Sequence, residues 1–201
     1  LPTDIVKPAL AGKANGDRLT TPRIAPLGKA EWTEEQANII APQVNADGTV
    51  LNLYATFINH PALYGPRYTF GSYLLRETSL PAATREILIM RTGWLINAEY
   101  EWAHHVSYAK EAGLSDDQIK AIAEGAGSAV WNEEQRAVIK AVDELRQEAF
   151  IHDDTWATLI KYYDTKQMME LVFTVGGYTM TGLAINSFGV QVEEGYPSFP
   201  E

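Results

Sequence analysis

No cysteine occurs in the 201 residues. That excludes disulfides, thiolate metal ligands and every reaction that turns on a thiol nucleophile. Basic residues are scarce: 16 Lys and Arg stand against 26 Asp and Glu, for a net charge of −10 and a pI near 4.9. The cations are scattered rather than clustered, so no nucleic-acid partner is expected. No uninterrupted apolar run approaches the roughly 20 residues that cross a bilayer, so no membrane partner is expected either. Alternating apolar and polar residues of the kind that make half-buried strands are also missing. With 46% hydrophobic and 21% charged residues, the composition is that of a globular chain rather than a disordered one. The chain starts at Leu1 rather than Met. The cytoplasm is the default compartment, and an upstream export segment stays open.

What is present reads as helix. Residues 1–30 carry Pro2, Pro8, Pro22 and Pro26 with Gly12, Gly16 and Gly28, and are expected to form an extended arm. Residues 31–190 are expected to form one all-α domain of about seven to nine helices, with 191–201 a C-terminal tail. Thr33 to Gln36 and Ser115 to Gln118 have the spacing of capping boxes. Asn45-Ala46-Asp47-Gly48 reads as a turn before a helix over Val50–Asn59. His60-Pro61 breaks that helix, because the residue before proline is driven out of the α region. A helix over Pro61–Glu77 carries an aromatic stripe of Tyr64, Tyr68, Phe70 and Tyr73. Further helices are expected from Pro81 to about Asn97, over 116–124, over Trp131–Phe150, from Asp153, and over Lys166–Phe188.

The segment from Ile87 to Ile96 is apolar nearly all round, interrupted by Arg91. It is expected to be a buried core helix. A buried guanidinium needs partners, so Arg91 meets a carboxylate or faces a wet cavity. Glu99, Glu101, His104 and His105 follow at once, and Glu101 and His105 stand four apart on one helix face. A degenerate internal repeat is also visible. Glu86 precedes Gly93-Trp94 by the same distance as Glu170 precedes Gly177-Tyr178, but Ile185 and Gly189 stand where Glu101 and His105 would recur.

The run Arg85-Glu86-Ile87-Leu88 to Arg91, then Glu99-Tyr100-Glu101-Trp102 to His105, then Ala109 to Gly113-Leu114-Ser115, resembles the carboxymuconolactone decarboxylase and alkylhydroperoxidase D-like superfamily. The resemblance covers roughly residues 52–190. In the peroxidase branch a glutamate stands twelve residues before a Cys-x-x-Cys-x-x-x-His motif. Here the glutamate falls on Glu86 and the histidine on His105, while Ala98 and Glu101 occupy the cysteine positions. Thiol peroxidase activity is thereby excluded, and the resemblance is to the decarboxylase branch. It implies a cofactor-free carbon–carbon lyase or isomerase acting on a small organic acid or lactone, assembled as a homo-oligomer, a trimer or hexamer.

Such a reaction needs a cation for a carboxylate and a proton donor for carbon, a task suited to histidine near neutral pH. The expected catalytic residues are His105 as general acid/base, Glu101 as its orienting or proton-sharing partner, and Glu86 as a second carboxylate. Arg91 and His104 are candidates for holding a substrate carboxylate, with Tyr100 and Trp102 as pocket walls. Glu101 and His104 also form an E-x-x-H spacing, but a dinuclear carboxylate site needs two such motifs. No metal is assigned. A hydratase, dehydratase or retro-aldol enzyme using the same Glu/His relay is the near alternative, and a non-catalytic oligomeric binding protein the distant one.

Overall fold

The computed structural model describes residues 17–200. Among the described residues there are nine α-helices and no strand: α1 (Glu34–Ile40), α2 (Asn52–Phe57), α3 (Pro61–Arg76), α4 (Ala82–Leu95), α5 (Glu99–Glu111), α6 (Asp116–Glu124), α7 (Glu133–Glu148), α8 (Asp153–Leu159) and α9 (Thr165–Phe188). The fold is the all-α one expected. The capping boxes at Thr33 and Ser115 form, each side chain accepting from a backbone amide three residues on. His60 caps α3 through Nδ1, which accepts from the Leu63 amide at 3.2 Å.

Helix α4 is the axle. Ten of its fourteen residues are buried, and it packs against α5, α7 and α9. Leu88, Ile89 and Met90 are fully enclosed, while Ile87 and Leu88 join Val138, Ile139 and Val142 of α7 in the main apolar core. The chain leaves α4 through Asn97, which takes a left-handed φ of 53°, a conformation asparagine tolerates better than most residues. This sharp exit lays α5 back along α4. The approach is close at Gly93, where an added Cβ would lie 3.3 Å from Glu101 Cβ.

Helix α9 runs between α3 and α4. Gly177 permits the contact with α3, since a Cβ there would sit 2.4 Å from Leu74 Cδ1. With 24 residues and a mean hydropathy of 1.3, α9 has the length and composition of a bilayer span, although 56% of that window is buried inside the fold. The sequence reading, based on uninterrupted runs, did not anticipate this.

Arg91 finds a carboxylate rather than a cavity. It is 8% exposed, its Nε donates to Asp143 Oδ1 of α7 at 2.7 Å, and its Nη1 donates to the Ile122 and Ala123 carbonyls near the end of α6. Its assignment as a substrate-carboxylate holder is therefore corrected: the guanidinium ties three helices together. Glu170, counterpart of Glu86 in the repeat, accepts from Tyr73 OH and from the Ser79 amide and hydroxyl, so it secures the loop between α3 and α4.

Several expected boundaries shift. The helix expected over Val50–Asn59 is only Asn52–Phe57. The one expected from Trp131 begins at Glu133, because Asn132 caps it and Trp131 turns inward to donate from Nε1 to the Gly125 carbonyl. Residues 1–16 of the expected arm lie outside the described residues. Beyond them Arg18 donates to the Ile96 and Asn97 carbonyls, and the amides of Arg23 and Ile24 donate to the Phe188 carbonyl. This part of the arm caps the turn after α4 and the end of α9 within its own chain.

Candidate active site

Because α5 folds back on α4, residues 19 apart in sequence face each other. His105 Nδ1 lies 2.7 Å from Glu86 Oε2, and Glu86 Oε1 accepts from Arg85 Nε at 3.0 Å. An ion-paired carboxylate accepts, so His105 donates from Nδ1 and its Nε2 is left for chemistry. That nitrogen lies 3.5 Å from Glu101 Oε2. Glu86 is 0% exposed, and Glu101 and His105 are 5% exposed.

The two carboxylates are in different situations. Both oxygens of Glu86 are engaged, and it sits behind His105, not in the cavity wall. Glu101 Oε1 is buried with no hydrogen-bond partner. Glu86 is thus the hydrogen-bonded partner of the imidazole, and Glu101, expected as its orienting or proton-sharing partner, is the under-satisfied carboxyl beside Nε2. Burial pushes the Glu101 carboxyl above its ordinary range, against the pull of His105 and Arg67. For His105 burial acts downward, but the Glu86 hydrogen bond and charge, with Glu101, leave it raised. The pair thus holds a proton more tightly than either group would in water.

Glu101 and His105 open on a small cavity, about 90 Å³, between α3, α5 and α9. Tyr178 stands edge-on to the His105 ring at 5.3 Å, and Tyr108 flanks it at 5.4 Å. Tyr54, Phe70 and Leu74 contribute apolar wall, and Arg67 and Arg76 bring positive charge. Tyr100 and His104 also line the cavity. Trp102 does not. It is 2% exposed and packs against Trp94 and Phe199, because position 102 lies on the face of α5 turned to the core.

His104 belongs to a second cluster behind the cavity. Its Nε2 lies 2.6 Å from Glu193 Oε2, and its ring is stacked between Tyr100 at 4.3 Å and Tyr196 at 4.1 Å. Glu193 Oε1 accepts from Tyr100 OH and from the Asn52 amide. Among the described residues no group of three His, Asp or Glu side chains is arranged to hold a metal ion.

Residues 61–144 match the model of the carboxymuconolactone decarboxylase family. Over those residues, less than half of its length, this chain is similar to that family. No curated protein matches it in sequence. Among solved structures, an uncharacterized peroxidase-related protein from Silicibacter sp. TM1040 superposes with a TM-score of 0.73 at 13% identity, covering 90% of this chain and 99% of that one. An alkylhydroperoxidase AhpD core protein from Ralstonia eutropha JMP134 gives 0.71 at 14% identity over 85% and 93%. The debrominase Bmp8 in complex with 2,3,4-tribromopyrrole gives 0.70 at 17% identity over 89% and 95%. At these identities the likeness establishes a shared fold, and reactivity has to be read from this chain's own residues.

Sequence reasoning missed Arg67, Tyr178 and Glu193. Arg67 and Tyr178 reach the cavity only because α3 crosses α9. Glu193 comes from the tail, 89 residues from His104. Its carboxyl is lowered overall: burial opposes this, but the His104 and Asn52 hydrogen bonds prevail. A depressed carboxylate contributes stability above its unfolded value that is lost as pH falls. Glu193→Ala should therefore cost about 1–3 kcal/mol at neutral pH, measured by urea unfolding, and the difference from the parent should shrink as pH falls through the acid range.

Proposed function

We propose that the protein is a lyase or isomerase that transfers a proton to carbon in a small organic acid or lactone, with His105 and Glu101 as the proton-handling pair. The observation that carries this is the His105 Nε2 facing Glu101 Oε2, in a raised carboxyl whose Oε1 has no hydrogen-bond partner, at the wall of a small cavity, with Nδ1 anchored on an ion-paired Glu86. Orientation of the base by a buried carboxylate and titrations shifted by burial and by neighbouring charge are features of general acid–base sites.

For a decarboxylation, the substrate's carbon–carboxyl bond breaks and its electron pair moves into the conjugated carbonyl as an enolate, releasing carbon dioxide. The proton held between Glu101 and His105 Nε2 passes to carbon, the enolate collapses to the carbonyl, and solvent restores the proton. Arg67 supplies a cation on the cavity wall for a carboxylate retained by the substrate. Glu86 keeps Nδ1 as donor throughout, so Nε2 alternates between base and acid. A homo-oligomer fits this reading, supported by the exposed apolar face of α9, where Met169, Val172, Phe173 and Leu183 meet solvent, a patch of the kind that marks interfaces.

The test is proton NMR in deuterium oxide with unsaturated lactone acids, unsaturated carboxylic acids and hydroxy acids. The expected result is turnover or exchange that places one deuterium on carbon per event. Acids that bind yet never exchange or react would sink the reading.

A further inference from the structure

Beside the catalytic cavity lies a larger groove of about 460 Å³ between α2, α3 and the C-terminal half of α9. Its size is that of a small-molecule site, and its walls are almost wholly apolar, with Phe57, Leu63, Met180, Ala184 and Phe188 among them. Two features set it apart from a casual apolar dent. Thr56 and Tyr64, each 2% exposed, line it, and the hydroxyl of each is buried with no hydrogen-bond partner. Unpaired buried hydroxyls are costly and rare, so a guest that pairs them accounts for their being there.

The second feature is Arg67. It lines both the groove and the catalytic cavity, as do Phe70, Met180 and Thr181. Its guanidinium lies over the Phe57 ring at 4.9 Å, and its Nη2 donates to Thr181 Oγ1 at 3.1 Å. Among the described residues no carboxylate lies within ion-pair distance of it. An arginine fork with free donors at the mouth of an apolar groove suits an anionic oxygen group.

We infer that the groove is a second subsite that holds the apolar body of an amphiphilic organic acid. Arg67 binds the anionic group at the boundary, and the hydroxyls of Thr56 and Tyr64 meet one oxygen function on the body. The substrate class is an acid with a hydrophobic chain or ring of several carbons bearing a keto or hydroxyl group, with its reactive carbon in the smaller cavity. The binding claim stands by itself, and it rests on the proton-transfer reading only for the fate of the reactive carbon.

The experiment is calorimetric titration of the full chain with propionate, pentanoate, heptanoate and nonanoate, then 1-nonanol and 6-oxoheptanoate. Affinity should rise about threefold to fourfold per methylene and exceed that for the alcohol. Arg67→Met should erase the preference for acid over alcohol. Ala184→Trp, which fills the groove, and Leu63→Glu, which puts a charge on its exposed rim, should flatten the series to the value for propionate, with folding followed by circular dichroism. Tyr64→Phe should remove the advantage of 6-oxoheptanoate over heptanoate. A series without a length dependence, or one unchanged in both groove variants, overturns the inference. So does a Leu63→Glu protein that loses assembled mass while the series stays as it was, since a second copy would then occupy the groove. Length-dependent binding with no deuterium exchange in any acid would sink the proton-transfer reading and keep the groove, whereas exchange with a flat series would do the reverse.

Discussion

His105→Gln should lower turnover on the identified substrate by about two to four orders of magnitude while leaving the helical content and melting transition close to the parent's. Glutamine can still reach Glu86, so the buried carboxylate keeps a partner, but no group remains that both accepts and returns a proton. The two carboxylates should then separate by their pH profiles. Both Glu86 and Glu101 raise the His105 titration, Glu86 through the hydrogen bond first and charge second. Removing either charge lets burial pull the imidazole down. The alkaline limb of kcat/KM, where the site loses its proton, should therefore move to lower pH in Glu86→Gln and Glu101→Gln, and further in Glu86→Gln. Glu101→Gln should also lose kcat with KM nearly unchanged, because its carboxyl acts on the proton rather than on binding. A Glu101→Gln enzyme with full kcat and an unmoved alkaline limb would remove Glu101 from the mechanism.

The helices and much of the site's composition were legible because they depend on local rules. Thr33 and Ser115 announce helix starts by spacing alone, and the apolar run of α4 announces a core helix whatever it packs against. Where two signals competed, boundaries slipped: Asn132 and Asp164 are capping residues with glutamine three positions on, yet the apolar Trp131 drew the expected start outward. The pairing inside the site was not legible. Glu101 and His105 stand four apart on one helix, and that spacing made Glu101 the evident partner. The shorter bond runs from Glu86, set by the turn at Asn97 and the close approach at Gly93, and periodicity carries no information on either. Arg91 was ambiguous for the same reason. Its need for a partner follows from burial, but whether the partner is substrate or Asp143 depends on where α7 lies.

Asp143→Ala should destabilise the fold by about 3–5 kcal/mol, because it strands the Arg91 guanidinium among α4, α6 and α7 without its charge partner. For a chain of this size that is a fall of roughly 6–20 °C in Tm. The intact pair itself contributes little, and the Asp143 carboxyl shows why. Burial raises it, and the Arg91 hydrogen bond and charge offset this only in part. A group whose folded titration is raised favours the folded state at low pH and loses that advantage as pH rises through it, so ionised Asp143 is tolerated rather than favoured. Two consequences follow for calorimetry and urea unfolding. The single variants Asp143→Ala and Arg91→Met should both be much less stable than the parent, whereas Arg91→Met combined with Asp143→Leu should recover most of the loss, since an apolar pair of similar volume avoids the desolvation of both ions. The double variant should also leave the pH profile of the proposed His105 and Glu101 reaction in place, because neither Arg91 nor Asp143 lines the cavity on which those two residues open. Loss of activity in a double variant of parental stability would return Arg91 to the substrate site.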